Sequence, residues 1–181
     1  MRGLSLSGFV LLLLFITSIS SLLSACGWRL RGGVDLPPVM AKTYIQGVAP
    51  FSELGVQLKN TLNSADAKVV SDAKQATASL IIMGNELTRR VLALDNSGRA
   101  SEYELNYVLR FKVLGENGRE LVPAQSVTAT RDYLFDPDAI LAKSDEEARL
   151  RKDMLRLAVQ QMFFRINASL RVSARQTDNN N

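Results

Sequence analysis

Histidine is absent from this 181-residue chain. That removes imidazole triads, histidine metal sites and acid–base chemistry through a His of near-neutral pKa. Cysteine occurs once, so the chain has no partner thiol for a disulfide, a thiolate metal cluster or a redox pair. No glycine-rich phosphate loop follows a strand pattern, and no Ser or Lys nucleophile has an evident base. An excess of one charge is missing too. The formal net charge is +4 from 22 basic and 18 acidic residues, too small to argue for nucleic acid unless the basic residues cluster on one face. Long hydrophobic runs are equally scarce, since the longest apolar core, Phe9 to Ile16, covers eight residues. A membrane-spanning helix needs roughly 20. These absences predict a non-enzymatic protein with no metal, no cofactor and no nucleic-acid partner.

What is present begins at the N-terminus. Arg2 is the only charged residue among the first 25, the apolar run follows it, and Ser24-Ala25 precede the single cysteine, Cys26. This is the three-part pattern of an export signal. Leu23-Ser24-Ala25-Cys26 resembles the lipobox of bacterial lipoproteins, which implies cleavage before Cys26, an S-diacylglyceryl thioether and an N-acyl (palmitate) chain. One acyl chain holds a protein marginally, whereas two or more anchor it stably. Gly27 follows the cysteine where Asp is the familiar inner-membrane retention signal, so the resemblance implies sorting to the outer membrane, on its periplasmic side. The mature chain would be 156 residues (181 less 25) with 21 basic residues (22 less Arg2) against 18 acidic. That length suits one domain.

The expected organisation is a signal peptide over 1–25, a lipidated tether over 26–40, a single domain over 41–175 and a disordered tail over 176–181. Gly32-Gly33 and Pro37-Pro38 oppose regular structure in the tether. Ala41 to Gly47 holds a short strand. Ser52-Glu53 opens a helix whose apolar face is Phe51, Leu54, Leu58 and Leu62, and Ala67 to Val70 is a short extended piece. Ala78 to Leu94 reads as a strand, closed by the turn Asp95-Asn96-Ser97-Gly98. In the next, Ala100 to Leu114, Tyr103, Leu105, Tyr107, Leu109, Phe111 and Val113 alternate with Glu102, Glu104, Asn106, Val108, Arg110 and Lys112, the signature of a half-buried antiparallel strand. Glu116-Asn117-Gly118 is a hairpin turn, and Leu121 to Leu134 is the third strand of the meander. Ser144-Asp145-Glu146-Glu147 has the form of a capping box. It precedes a stripe of Leu155, Ala158, Val159, Met162, Phe163, Ile166 and Leu170. The fold predicted is an α+β two-layer sandwich: a mostly antiparallel sheet of about four strands with two amphipathic helices on one face.

Two acidic clusters have local explanations. Asp136-Pro137-Asp138 suits a strand-to-helix loop, and Asp145-Glu146-Glu147 complements a helix dipole. The meander brings the turn at 95–98 and the loop from Phe135 to Lys143 to one pole. Arg89, Arg90, Arg99, Arg131 and Lys143 gather there, within reach of an anionic ligand, together with Asp95, Asp132, Asp136 and Asp138. An ordinary mixed-charge rim is the alternative.

Cys26-Gly27-Trp28-x-Leu30-Arg31-Gly32, then Ser101-Glu102-Tyr103-Glu104-Leu105, then Phe135-Asp136 and Ala139-Ile140-Leu141-Ala142-Lys143 before a last helix resemble, in order and spacing, the LPS-assembly lipoprotein LptE family. The resemblance implies a plug seated inside a large outer-membrane β-barrel, the translocon LptD. Such a plug helps the barrel assemble, binds lipopolysaccharide and supports its delivery to the cell surface. It also implies that the basic residue before the last helix, here Lys143, binds lipopolysaccharide. The family's second basic position falls on Asn96 in this chain, which leaves Arg99, three residues on, as the candidate. Lipid A phosphates would accept charge-assisted hydrogen bonds from such side chains. The alternative function is a structural lipoprotein subunit of another envelope assembly or lipid-transport machine.

Overall fold

The computed structural model describes residues 36–178. The expected signal peptide, Cys26 and most of the tether lie outside the described residues, as does 179–181. The tether's last residues, 36–40, end in a 3-10 turn, Pro38–Met40, which buries Met40 completely, so the folded part begins before Ala41. Buried Thr43 fixes that entry by donating its hydroxyl to the Met40 carbonyl at 2.8 Å.

Five strands follow: β1 (Lys42–Gln46), β2 (Lys68–Val70), β3 (Ala78–Leu94), β4 (Ala100–Gly115) and β5 (Glu120–Leu134). They form one sheet in the order β2-β1-β3-β4-β5. β1 runs parallel to both β2 and β3, while β3, β4 and β5 form the expected antiparallel meander. The sheet is therefore mixed and five-stranded rather than four-stranded. The extra strand comes from the piece at Ala67 to Val70, of which the three residues Lys68–Val70 pair with the start of β1.

Helix α1 (Glu53–Ser64) starts where Ser52 accepts the Gly55 N–H at 3.1 Å. Leu54, Leu58 and Leu62 are buried as their spacing requires, but Phe51 is 95% exposed. The correction has a simple cause. Ser52 is the N-cap, so Phe51 precedes the helix and its spacing to Leu54 and Leu58 carries no helical meaning.

Helix α2 (Ile140–Asp178) is the long cover of the sheet and extends past Arg175. Its start is five residues earlier than a capping box at Ser144, which would open the helix at Asp145, demands. Asp136 accepts the Asp138 N–H at 2.9 Å and opens a 3-10 turn, Pro137–Ala139, which feeds straight into α2. An Asp cap followed by Pro is itself a helix-start pattern, and it takes precedence here over Ser144-x-x-Glu147.

Both helices pack on the face that carries Leu105, Leu109, Phe111 and Val113, all 0% exposed, and share a single core with Met154, Ala158, Met162, Phe163 and Ile166. The core-face register read from the alternation in β4 holds. The three long strands overhang this core at one end. β1 pairs with β3 only from Ala78 to Ile81, then leaves the sheet at Gly47. A side chain at Gly47 would place its Cβ 2.1 Å from the Ile82 carbonyl oxygen, and φ is +85°, so glycine is required. Beyond that point the meander continues without β1 or β2 to the turn at 95–98, here termed the tip. The opposite end, with Lys42, Lys68 and the β4–β5 turn, is the base.

Candidate functional site

The tip is built from two segments that the register brings side by side. Phe135 donates its N–H to the Ser101 carbonyl at 2.9 Å, so the chain leaving β5 runs beside the β3–β4 turn. In that turn the Asp95 carboxylate accepts the N–H groups of Ser97 (2.8 Å) and Arg99 (2.9 Å), while its second oxygen takes the Arg99 Nε at 2.9 Å. Gly98, at φ +77°, closes the turn with open space around it. The Arg99 N–H, then the Arg99 side chain and the Ser97 N–H, hold the Asp95 carboxyl below its usual range. Arg99 is thus placed by its partner, with its side chain 58% exposed.

Lys143 lies in the first turn of α2. Its Nζ donates to Glu146 Oε2 at 2.8 Å, and its side chain is 22% exposed. One turn later, Glu147 is the hub that ties α2 to the sheet. Tyr133 Oη donates to Oε2 at 2.5 Å, Arg89 donates to the same oxygen at 3.0 Å, and Arg151 donates to Oε1. Only 12% of the Glu147 side chain is exposed. Burial works to raise its pKa, but the donors Tyr133, Arg151 and Arg89 together outweigh burial and leave it lowered. Burial, reinforced by the Glu147 carboxylate, pushes the Tyr133 phenol up to about 12. The Arg89 guanidinium stands 4.6 Å from the centroid of Tyr103. Tyr103 in turn stacks on Tyr133 at 5.7 Å and meets the edge of Phe135 at 5.3 Å.

On the opposite face, Arg90 forks onto Glu104 at 2.6 and 3.1 Å and feels the charge of Asp132. Arg131 donates to the Thr130 carbonyl at 2.8 Å. The pole expected from the meander is therefore real as a placement, with Arg89 and Arg131 in one row of the sheet, flanking Leu105. Arg99 and Lys143 each pair with an acid of their own segment instead of converging. Glu147 belongs to this clasp and not to a helix N-terminus, because α2 begins seven residues before it. The clasp had one sequence signal. Arg89 sits between Leu87 and Val91 at the core-face parity of β3, where a cation needs a buried acceptor.

The tip also exposes apolar side chains. Leu94 is 63%, Leu134 68%, Ile140 60% and Leu141 85% exposed, and Val91 and Leu92 are exposed beside them. The tip thus combines cations on short acidic leashes with uncovered aliphatic surface, the two chemistries an anionic amphiphile requires. Among the described residues no group of His, Cys, Asp or Glu has the geometry to hold a metal ion, and no helix is long and apolar enough to cross a membrane.

The family model described as LptE, lipopolysaccharide-assembly, matches residues 40–166. An LPS-assembly lipoprotein LptE from Pectobacterium atrosepticum is 30% identical over 156 residues, covering 84% of each chain, and one from Yersinia enterocolitica is 26% identical over 153 residues, covering 83% of this chain and 73% of its own. Among solved structures, lipoprotein B from Nitrosomonas europaea superposes with a TM-score of 0.65 at 34% identity, covering 78% of this chain and 91% of its own. The rare lipoprotein B from Shewanella oneidensis gives 0.63 at 28%, covering 74% and 98%. The family match runs from the 3-10 turn before β1 into α2, and the chain belongs to the LptE family of lipopolysaccharide-assembly lipoproteins.

Proposed function

We propose that this chain is a non-enzymatic outer-membrane lipoprotein of a Gram-negative envelope, anchored through acylated Cys26. It seats in an LptD-like β-barrel as partner and plug, assists assembly of that barrel, and binds lipopolysaccharide at the tip on its way to the cell surface. The observation that carries the binding step is the pairing of Lys143 and Arg99 with the exposed Leu94, Leu134, Ile140 and Leu141 at one end of the sheet. Phosphates would be met by the cations and acyl chains by the aliphatic surface. Arg99 and Lys143 each already hold a carboxylate, so an incoming phosphate acts by exchange, taking the cation from Asp95 or Glu146. No covalent step is involved.

The test is lipopolysaccharide binding by the mature lipoprotein carrying Lys143→Asp and Arg99→Asp together. Binding should fall while the protein stays folded, with the melting temperature lowered by no more than the two surface ion pairs are worth, about 0–1 kcal/mol each. Unchanged binding would remove the tip from the mechanism. Copurification of one large barrel in mild detergent tests the partner separately and should persist in the double variant.

A further inference from the structure

Phe51 is the most exposed large hydrophobic side chain among the described residues, at 95%. The segment that presents it is locked. Ser52 donates its N–H to the Ala49 carbonyl at 3.0 Å and its hydroxyl to the same oxygen at 2.7 Å. That hydroxyl also accepts the Gly55 N–H at 3.1 Å. Pro50 has a fixed φ, and the chain before Phe51 lies so close over the first turn of α1 that a Cβ at Gly55 would stand 2.3 Å from the Ala49 carbonyl oxygen. The backbone on both sides of Phe51 is therefore rigid. With Ser52 as the N-cap, Phe51 and Val56 occupy the two positions that ordinarily close on each other as a hydrophobic staple. Here Val56 is also exposed, at 43%, so the staple stands open.

The open staple belongs to a groove of about 610 Å³ between α1 and α2. Val56 and the half-buried Leu155 supply its apolar lining, and Arg149, Lys152 and Arg156 its basic one. These three cations follow one another at spacings of three and four on α2, where like charges are neighbours and destabilise the helix. Arg156 is paired with Asp153, and Glu53 sits in the first turn of α1, where its charge suits the helix dipole. Arg149 and Lys152 belong to none of the six ion pairs among the described residues. A fixed, uncovered ring and two unpaired cations thus meet in one groove, and the fold gains nothing from any of them.

We infer that this groove seats a segment of the wall of the β-barrel partner, one that carries an apolar side chain flanked by carboxylates on the lumen side. The inference rests on the plug reading and adds a contact surface to it. A ring held in place before contact loses little rotamer entropy on binding, and aromatic and arginine side chains dominate interface energies. Barrel interiors are polar, and a carboxylate there would meet Arg149 and Lys152 in charge-assisted hydrogen bonds. Charge complementarity selects an acidic segment over a basic one. Phe51 is also a knob that requires a shaped hole, which a close-packed protein wall offers.

The experiment coexpresses the parent lipoprotein and one variant, each with its own tag, beside the barrel, and measures the barrel recovered on each tag in mild detergent. Phe51→Ala should recover about 30-fold less barrel than the parent, the least expected of a hot-spot truncation. Arg149→Glu/Lys152→Glu should lose a comparable share, whereas Phe51→Trp and Arg149→Lys/Lys152→Arg should keep the parental one. Equal shares for a normally melting Phe51→Ala would overturn the inference. Benzoylphenylalanine in place of Phe51 should crosslink to a lumen segment of the barrel with an adjacent Asp or Glu. Crosslinks confined to lipopolysaccharide, or to a segment without an acid, would overturn it as well. Lipopolysaccharide binding by isolated Phe51→Ala should equal the parent's; a loss would give the groove to that ligand and refute the barrel as its occupant. If the parent itself recovers no barrel, the plug reading fails and the inference falls with it, whereas barrel shared equally between parent and variant refutes the groove alone.

Discussion

At the tip of the sheet, Arg89, Arg90, Arg99 and Lys143 each hold a carboxylate, whereas Lys42, Lys68 and Lys74 at the base hold none. The two ends carry similar numbers of cations and use them differently. At the base the charge projects freely, so any attraction it exerts is long-ranged, fast and removed by salt. At the tip the charge is neutralised in place. A cation there is available only to a ligand that competes with its acid, which favours phosphates presented at short range beside apolar contacts. The same acids position the tip, because Asp95 shapes its turn and Glu147 ties α2 to β3 and β5.

The largest expected effect tests what the two ends share. Leu109 is fully buried midway along β4, so Leu109→Ala should cost about 2–5 kcal/mol and loosen both ends together in denaturant melts. Val108→Ala, on the open face, should cost far less. Equal small losses would refute the register on which the comparison stands. The next effect belongs to the tip alone. Glu147→Ala leaves the buried Tyr133 hydroxyl without its acceptor, while the half-exposed Arg89 and Arg151 turn to water, and should cost about 1–3 kcal/mol. Amide hydrogen exchange should rise in the first turns of α2 and in β5 near Tyr133 while staying unchanged around Lys42. Uniform loosening would show that the clasp is not local.

The pH response should separate the ends further. The Glu147 pKa is lowered in the folded protein, so its contribution is present above the ordinary glutamate pKa of about 4.3 and is lost as pH falls through the folded value. Tyr133 is raised to about 12, so the folded state favours the protonated phenol. That contribution is complete below about pH 10, the free tyrosine pKa, and is lost as pH rises toward 12. Tip protection should therefore weaken at both extremes, Glu147→Gln should flatten the acid limb, and Tyr133→Phe the alkaline one. The smallest effect is at the base. Lys68→Glu replaces a like-charge pair with an attractive one and should raise stability by about 0.2–1 kcal/mol, read as a small rise in melting temperature. A fall would mean that Lys42 and Lys68 do not repel.

Much of this architecture was legible because its long strands carry long patterns. The alternation from Tyr103 to Val113, the turns at 95–98 and 116–118 and the stripe from Leu155 to Leu170 repeat often enough to fix face and period. β2 has three residues and so no period, and its parallel pairing with β1 depends on where α1 returns the chain, which local composition does not encode. Phe51 and Ser144 show the same limit at helix ends, where one capping residue decides which spacings are helical. The site was legible as a place but not as a set of contacts. The meander alone brings Arg99 and the Lys143 loop to one end. The pairing of Glu147 with Tyr133, Arg89 and Arg151 requires the overlay of α2 on the sheet, and in sequence Glu147 reads equally well as an acid at a helix start.

The central claim is that the tip recognises lipopolysaccharide by exchanging a carboxylate for a phosphate. The most direct measurement is equilibrium binding of lipopolysaccharide by the mature lipoprotein carrying Glu146→Gln. This change removes the acid that competes for Lys143 and leaves the lysine, the clasp and the exposed leucines in place. Exchange predicts tighter binding than in the parent protein at the same salt, with the gain abolished when Lys143→Asp is added. Unchanged or weaker binding by Glu146→Gln would contradict it.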